Sequence, residues 1–182
     1  MAIYFEKYGL CFRTVDVNDA EFILSLRTNI HLARFLSATP SDIEQQKKWI
    51  EDYQKREKQN LEFYFVAQNI NGEMYGLNRL YNFNDNSFEA GSWIYKEHLN
   101  FSISIFGDFA VRDYGFEVLQ FPFCRFEVRK ENHSVVKYHH RFKPTLVKED
   151  ELNYYFILSY ENYALHRDKL LKMIGNGVIT TS

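Results

Sequence analysis

The side chains best suited to chemistry lie between Tyr75 and Phe142, where acidic, hydroxyl and imidazole groups follow one another along the chain. Glu89 stands in a predicted strand, Ser102 at the start of a long predicted helix, and His139 in a short one. A helix N-terminus binds anions through its free amide groups, and serine is small and offers a capping hydroxyl. Imidazole exchanges protons near neutral pH. These residue types suit anion binding at a helix end and proton transfer, although the serine-containing loop alone does not indicate a phosphate site.

The sequence does not favour a covalent nucleophile or a metal site. Cys11 and Cys124 fall inside predicted strands, lack CxxC spacing and cannot form a disulfide framework. Cys124 has no histidine partner at a recognisable spacing, and no group of His, Asp and Glu has metal-ligand spacing. Burial in the core is the expected role of both cysteines.

The elements that position these side chains follow a definite order. Two strands, Met74–Phe83 and Phe88–Tyr95, are followed by a long helix, Phe101–Gln120, a strand, Cys124–Lys130, and a short helix, Asn132–Phe142. The long helix is a crossover, which implies that the strands on either side of it run parallel. This order suits an acyl-CoA site. A pantetheine arm would lie along the first of these parallel strands, and its pyrophosphate on the next helix N-terminus.

The rest of the chain predicts further strands and helices around this unit. A capping box at Ser41 and Glu44 marks the start of one helix, and residues 176–182 are expected to fray. The remaining predicted elements are a strand at Tyr8–Val15, helices from Asn18 and at His31–Leu36, strands at Leu61–Gln68, Thr145–Val147 and Leu152–Tyr160, and a helix at Glu161–Ile174. We expect one α/β domain with a mixed sheet over residues 1–182.

Composition excludes several classes of protein. The 182 residues are 46% apolar and carry a net charge of −2, so no basic field attracts nucleic acid or an anionic membrane. No signal peptide and no apolar run long enough to span a membrane is present, and we expect a soluble, cytoplasmic protein. Aromatic residues reach 18%, which indicates either a ring-filled core or a site for a ring-shaped substrate.

The segment FEAGSWI, Phe88–Ile94, resembles the E-I-G-Y-W-L strand of GNAT superfamily N-acetyltransferases, including the ribosomal-protein alanine acetyltransferase branch. The resemblance implies a mixed, mostly antiparallel sheet of about seven strands, with one splayed parallel pair and flanking helices. It implies that the backbone of Trp93, Ile94 and Tyr95 holds the pantetheine arm and polarises the thioester carbonyl. Glu89 would be the general base, directly or through a water; the alternative is an exposed strand glutamate without a role.

The CoA-phosphate signature of the family, R/Q-x-x-G-x-G/A, falls on a glycine-poor loop. Serines replace the glycines and a leucine replaces the leading Arg or Gln. The resemblance still implies pyrophosphate binding at this loop, while a non-catalytic binding module that has lost CoA is the alternative. The residues concerned are Leu99, Asn100, Phe101, Ser102, Ile103 and Ser104.

The segment NHSVVKYHHRF, from Asn132 to Phe142, resembles the N-x-x-V-I-x-F-H-K-K-F-G helix of GNAT enzymes from bacterial surface-sugar pathways. Asn132 would bond the pantetheine, a role compatible with that of a helix cap. His139 takes the position of the tyrosine that protonates the leaving thiolate in most of the superfamily. A histidine with a pKa near neutrality would serve as that acid. The alternative is an ordinary helix-surface histidine.

Two arginines are candidates for binding the acceptor. Arg79, in GLNRLYNF, resembles the G-x-I-R-L-Y strand of the sugar branch, and Arg27 matches the family's L-R-N at the end of its first helix. Such a residue would clamp a phosphate or carboxylate, unless it is merely a surface arginine. The resemblance as a whole implies an acetyl-CoA-dependent enzyme, without metal, that acetylates a small-molecule primary amine. A nucleotide-linked amino sugar is the first expectation, a protein N-terminus or another amine the second, in a monomer or homodimer.

Overall fold

A computed structural model describes residues 3–175, so the tail expected to fray lies outside the described residues. A 3-10 turn, Val17–Asp19, leads into the first helix, and a π-helical turn, Tyr114–Val118, extends the third. In chain order the elements are β1 Tyr4–Lys7, β2 Leu10–Thr14, α1 Ala20–Arg27, α2 Ile43–Lys58, β3 Phe63–Gln68, β4 Met74–Tyr81, β5 Ser87–Tyr95, α3 Phe101–Asp113, β6 Phe123–Arg129, α4 His133–His140, β7 Thr145–Glu149, β8 Asn153–Ser159 and α5 Tyr160–Ile174.

The strands form one sheet in the order β1-β2-β3-β4-β5-β6-β8-β7. Every neighbouring pair is antiparallel except β5 and β6, which confirms the predicted mixed sheet with one parallel pair. The described residues form eight strands, not about seven, because the segment before the predicted first strand forms β1. The sequence placed Tyr8 in the first strand. In the structure Tyr8 and Gly9 instead form the turn between β1 and β2, with φ values of 54° and 74° respectively. Two positive φ values match the two-residue turn that joins antiparallel strands.

The parallel pair separates after three residues. Ser87, Phe88 and Glu89 of β5 pair with the residues 123–125 of β6, and the ladder then ends. Beyond it, β6 stays paired along its whole length with β8, and β5 with β4. The two strands therefore diverge, which confirms the predicted splay and leaves a gap in the sheet.

Helices cover both faces of the sheet and bury two cores. The larger core joins the sheet to α3 and α5 and is rich in phenylalanine, with Phe65, Phe88 and Phe109 fully buried. The smaller core lies under α1 and α2 and contains Tyr53 and Tyr64. Aromatic rings therefore serve mainly to fill the cores. This favours the first of the two interpretations of the aromatic content.

Three local predictions were wrong. Residues 31–36 form turns and not a helix, because Asn29 accepts from the amides of His31 and Leu32 and fixes a local turn. Helix α2 is capped by Asp42, whose carboxylate accepts from the amides of residues 44 and 45, and not by Ser41. The long helix changes from α to π geometry after Asp113. Ser41 and Asp42 are both good capping residues, so the sequence does not show which of them caps α2. The change from α to π geometry does not alter the hydrophobic spacing enough to be recognised.

The position of α3 against the sheet depends on a missing side chain. Tyr95 of β5 lies under the helix, and its hydroxyl donates to Asn78 Oδ1 of β4 at 2.6 Å. A Cβ atom at Gly107 would lie only 1.7 Å from that hydroxyl oxygen. Glycine at this position therefore lets α3 approach the tyrosine, and this contact positions the helix N-terminus beside the gap.

Candidate active site

The gap between β5 and β6 opens into a cavity of about 580 Å³ that passes from one face of the sheet to the other. On one face, which we call the α2 side, its wall contains Arg27, Trp49, Tyr64, Arg79 and Tyr81. On the other face, the α3 side, its wall contains Trp93, Asp108, Arg112, Asn132 and His139. A volume in this range suits a small-molecule ligand.

A β-bulge in β5 shapes the wall of the cavity. Arg79 pairs with Gly91, but Leu77 pairs with Ile94, so β5 carries one extra residue at Ser92, whose φ is 51°. Because side chains alternate along a strand, one inserted residue reverses the side on which the following residues point. Gly91 thus faces the α2 side, whereas Trp93 faces the α3 side.

Trp93 joins the two helices that border the α3 side. Its indole N–H donates to the Ser104 carbonyl of α3 at 2.9 Å. The same ring packs on Tyr138 of α4, with centroids 5.1 Å apart, and lies 6.0 Å from the ring of His139. The bulge therefore places an aromatic side chain that holds α3 and α4 on either side of the gap.

A buried polar cluster forms the floor of the α3 side. Asp108 accepts from Arg112 Nε at 2.9 Å and from the Tyr138 hydroxyl at 2.8 Å. Arg112 also donates to Cys124 Sγ at 3.1 Å, and its guanidinium stacks over the ring of Phe126 at 4.6 Å. Burial and the neighbouring carboxylate raise the pKa of Tyr138 well above its ordinary value. The Tyr138 hydroxyl therefore stays protonated and bonded to Asp108.

His139 lies against this cluster and is only 4% exposed. Its ring packs on Phe126 at 4.5 Å, and its Nδ1 atom is buried without a hydrogen-bond partner among the described residues. Burial, and then the charges of Arg112 and His140, lower the pKa of His139 well below its ordinary value. The expected pKa near neutrality was therefore wrong, as was the surface alternative. His139 is a buried, neutral imidazole.

The helix ends expected to hold the cofactor differ in their hydrogen bonding. At α3, the side-chain oxygen of Asn100 accepts a hydrogen bond from the amide of Ser102 at 3.1 Å. The backbone carbonyl of Asn100 accepts one from the amide of Ile103. Phe101 is 70% exposed, and Leu99 packs against the large core. At α4, Asn132 makes no side-chain cap bond to the helix amides and lines the cavity. Asn132 is therefore better placed to meet a ligand in the cavity than the residues of the α3 terminus.

Glu89 stands where the parallel ladder ends. Its carboxylate accepts from the Tyr81 hydroxyl at 2.7 Å and from Asn82 Nδ2 at 3.0 Å, and Arg125 lies 3.9 Å away. Glu89 does not line the cavity, but Tyr81 does. The carboxylate therefore reaches the cavity through the Tyr81 hydroxyl.

The α2 side is rich in hydrogen-bond donors. Arg79 pairs with Glu62, a buried carboxylate that Arg56 also binds, and its guanidinium lies 5.3 Å from the ring centre of Trp49. Arg27 donates to Thr39 Oγ1 at 2.7 Å and to Ser37. The Tyr64 hydroxyl and Arg79 Nε are buried without hydrogen-bond partners among the described residues.

The cavity is positively charged although the chain is negatively charged overall. Four arginines line it against one aspartate and one glutamate, which leaves an excess of two positive charges. The charged lining residues are Arg27, Arg79, Asp108, Arg112, Glu127 and Arg129. Since low-dielectric walls strengthen such a field, the cavity favours an anionic ligand over a cationic one.

The predicted site residues divide into two groups. Trp93, Asn132, His139, Arg27 and Arg79 line the cavity. Those whose side chains lie outside it are Glu89, Ile94, Tyr95, Leu99, Asn100, Phe101, Ser102, Ile103 and Ser104. The roles expected of Ile94 and Tyr95 are backbone roles, and their side chains pack into the two cores.

Several wall residues were not anticipated: the sequence did not single out Trp49, Tyr64, Asp108 or Arg112 as site residues. Asp108 and Arg112 form an i,i+4 pair in α3, and such a pair usually indicates an exposed helix face. Within residues 3–175 no group of three or more His, Cys, Asp and Glu side chains could hold a metal ion. In the same part of the chain, none of the helices combines the length and apolarity that crossing a bilayer requires.

A family model described as acetyltransferase (GNAT) domain matches residues 9–142. The chain belongs to the GNAT acetyltransferase family. It is an acyltransferase of the GNAT type, and the eight-stranded sheet with its splayed pair is the GNAT fold. No curated protein matches the sequence significantly.

Solved structures include a sequence-similar relative. Apo FdhC, described as a nucleotide-linked sugar GNAT, is 32% identical over 96% of this chain and 100% of its own, with a TM-score of 0.83. Ribosomal-protein-S5-alanine acetyltransferase from Vibrio fischeri shares the fold at 17% identity, over 86% of this chain and 96% of its own, with a TM-score of 0.73. Spermidine N-acetyltransferase from Vibrio cholerae, in complex with CoA and spermine, also shares the fold. It is 20% identical over 87% of this chain and 99% of its own, with a TM-score of 0.72.

Proposed function

We propose that this protein transfers the acetyl group of acetyl-CoA to the primary amine of a nucleotide-linked amino sugar. The observation that carries the proposal is the cavity itself, which crosses the sheet at the splayed strands and has an excess of positive charge. Acetyl-CoA would enter on the α3 side, and the amine would arrive from the α2 side. Catalysis would then consist mainly of placing amine and thioester against each other.

On the α3 side, the unpaired edge of β5 would bind the pantetheine arm. The backbone of Trp93, Ile94 and Tyr95 lies beyond the end of the parallel ladder, and one of its amides would polarise the thioester carbonyl. Asn132 would bond the arm from the opposite wall. The pyrophosphate would sit over the amides of residues 101–104, where it has to compete with the Asn100 side chain for the amide of Ser102.

Two side chains would handle the protons. Glu89 would accept the amine proton, with the Tyr81 hydroxyl or a water between them. His139 would donate a hydrogen bond to the leaving sulfur as a neutral imidazole, since its lowered pKa disfavours an imidazolium. Developing negative charge on the sulfur would also be stabilised by the buried Arg112 next to that ring.

The choice of acceptor rests on charge and on one relative. A polyamine carries several positive charges and would be repelled by the arginines of the α2 side, whereas a sugar nucleotide carries a diphosphate. The relative that is 32% identical is a nucleotide-linked sugar GNAT. A protein N-terminus or another small amine is the second candidate, because the cavity also accommodates smaller acceptors.

The release of free CoA thiol tests the proposal. Acetyl-CoA is mixed with the protein and with UDP- or dTDP-linked amino sugars, spermidine, or a peptide with N-terminal alanine. We expect rapid thiol release with a sugar nucleotide only. Thiol release with spermidine or with the peptide, but with neither sugar nucleotide, would contradict the acceptor assignment. Absence of any thermal stabilisation by acetyl-CoA would contradict CoA binding itself, since a ligand at a hundred times its Kd stabilises by about 2.7 kcal/mol.

A further inference from the structure

We propose that Arg27, Tyr64 and Arg79 form an oxyanion subsite on the α2 side of the cavity, which holds a phosphate of the acceptor. The inference rests on the proposed function for the identity of the acceptor, but not for the existence of the subsite. All three residues line the cavity, and they come from three different elements, α1, β3 and β4.

The buried hydroxyl of Tyr64 is the strongest indication of the subsite. Tyr64 is 2% exposed, and its hydroxyl has no hydrogen-bond partner within residues 3–175. An unpartnered buried hydroxyl is costly, and native proteins rarely keep one without a reason. Burial raises the pKa of Tyr64, while the charges of Arg27 and Arg79, and then the polar approach of the Arg27 guanidinium, lower it in part. Both guanidinium groups therefore lie close to this oxygen, but neither forms a well-directed hydrogen bond with it. The hydroxyl is therefore protonated and available as a donor.

The two arginines supply further donors. Arg79 Nε is a second buried atom without a partner among the described residues, because the Arg79–Glu62 contact uses the other end of the guanidinium. Arg27 donates hydrogen bonds to uncharged oxygens of Ser37 and Thr39, and it forms no ion pair in the described part of the chain. Three groups thus present N–H or O–H donors to one region of the cavity.

The charge balance at this end also requires an anion. Arg79 shares the carboxylate of Glu62 with Arg56, and Arg27 has no ion pair among the described residues. Positive charge therefore remains incompletely balanced beside the Tyr64 hydroxyl, where partial burial favours a counter-ion. A phosphate offers several acceptor oxygens and negative charge, and it matches the geometry of guanidinium groups. A carboxylate shares this chemistry with fewer oxygens.

Calorimetric titration of the whole protein with UDP, dTDP or glucuronate tests the subsite. Each titration is made without CoA and with saturating CoA, because a diphosphate could otherwise occupy the CoA phosphate site. We expect UDP or dTDP to bind in both titrations. Tyr64→Phe should weaken that binding about 5- to 10-fold and Arg27→Gln about 10-fold or more, as expected for the loss of a neutral and a charged hydrogen bond. Arg141→Gln, which removes an exposed arginine that does not line the cavity, should leave the binding unchanged.

Thermal unfolding without ligand separates binding from folding. Tyr64→Phe removes a hydroxyl that bonds nothing in the folded protein, so its Tm should equal or exceed that of the wild type. The subsite is overturned if neither nucleotide nor glucuronate binds, if CoA displaces them completely, or if the variants bind as the wild type does. Glucuronate binding that the variants lose, without nucleotide binding, supports the subsite but contradicts the sugar-nucleotide acceptor. Failure of acetyl-CoA to bind would contradict the proposed function and leave the titration without CoA as the test of the subsite.

Discussion

His139 shows how burial changes the chemistry that a residue type suggests. Its position in the helix fitted a proton donor with a pKa near neutrality, but the ring is enclosed by Phe126, Trp93 and Tyr138 beside the charge of Arg112. The sequence motif identified His139 as a residue that lines the cavity. It does not give the depth at which the residue lies or the charges beside it, and these determine the pKa.

The pH dependence of stability tests this assignment. In the unfolded chain His139 binds a proton below its ordinary pKa of about 6.5, whereas the folded protein excludes that proton. Stability should therefore fall as the pH falls through this range, with a slope from this group that approaches about 1.4 kcal/mol per pH unit below pH 6. His139→Gln should lose that part of the slope in urea unfolding at pH 7, 6 and 5. His133→Gln, at an exposed position of the same helix, should keep it. Equal slopes for wild type and His139→Gln would mean that His139 titrates normally in the fold.

Glu89 is a residue whose role still depends on the resemblance. We predict that Glu89→Gln lowers kcat by ~10²–10⁴, the usual effect of losing a positioned general base. The Kd of acetyl-CoA should change little, because the carboxylate faces Tyr81 and Asn82 and not the cofactor side. Glu97→Gln, an exposed neighbour after β5, is the matched control. Near-normal turnover in Glu89→Gln would show that positioning alone carries the reaction.

Among the secondary-structure elements, β5 contributes most to the shape of the site. The bulge at Ser92 turns Trp93 towards α3 and α4, and the end of the ladder at Glu89 frees the backbone that follows. The strand, its parallel partner and the crossover helix could be predicted from turn residues and hydrophobic spacing. The bulge could not, because serine in a strand gives no indication of a positive φ.

Gly107 provides a test of how α3 is seated. Alanine normally stabilises a helix interior by about 1 kcal/mol relative to glycine, but here its Cβ would overlap the Tyr95 hydroxyl. We expect the overlap to dominate, and Gly107→Ala to lower the free energy of unfolding by about 1–3 kcal/mol, as overpacking does. Adding Tyr95→Phe should recover part of the loss. A more stable Gly107→Ala protein would show that α3 is free to shift away from the sheet.

In the molecule as a whole, a second polar network, in addition to that of Asp108 and Arg112, connects elements that are far apart in sequence. Asp113, at the end of α3, accepts from the hydroxyls of Tyr8 and Tyr163 and pairs with Lys7 and Arg167. It thereby joins the first hairpin, α3 and α5. The general architecture was predictable because local patterns and the family resemblance agree. These long-range contacts were not predictable, since the residues that they connect lie from 50 to more than a hundred positions apart in sequence.

Removal of the charge of Asp113 should therefore weaken the whole fold. We predict that Asp113→Asn lowers the free energy of unfolding by about 1–3 kcal/mol, the range for hydrogen bonds to charged groups. Glu117→Gln is the comparison, because Glu117 binds the same Lys7 and Arg167 but is 34% exposed. It should cost less than 1 kcal/mol, as ion pairs at the surface do. Equal losses in the two variants, measured by urea unfolding, would contradict a role for burial in this network.

A crystal structure of the protein with acetyl-CoA would show where the thioester binds. We predict that it lies in the gap between β5 and β6, with its carbonyl on an amide of Trp93, Ile94 or Tyr95 and its sulfur near His139. The acceptor side of the cavity, which Arg27, Trp49 and Arg79 line, should stay open to a second ligand. Acetyl-CoA bound outside the gap, or with its acetyl group directed away from the α2 side, would contradict the account.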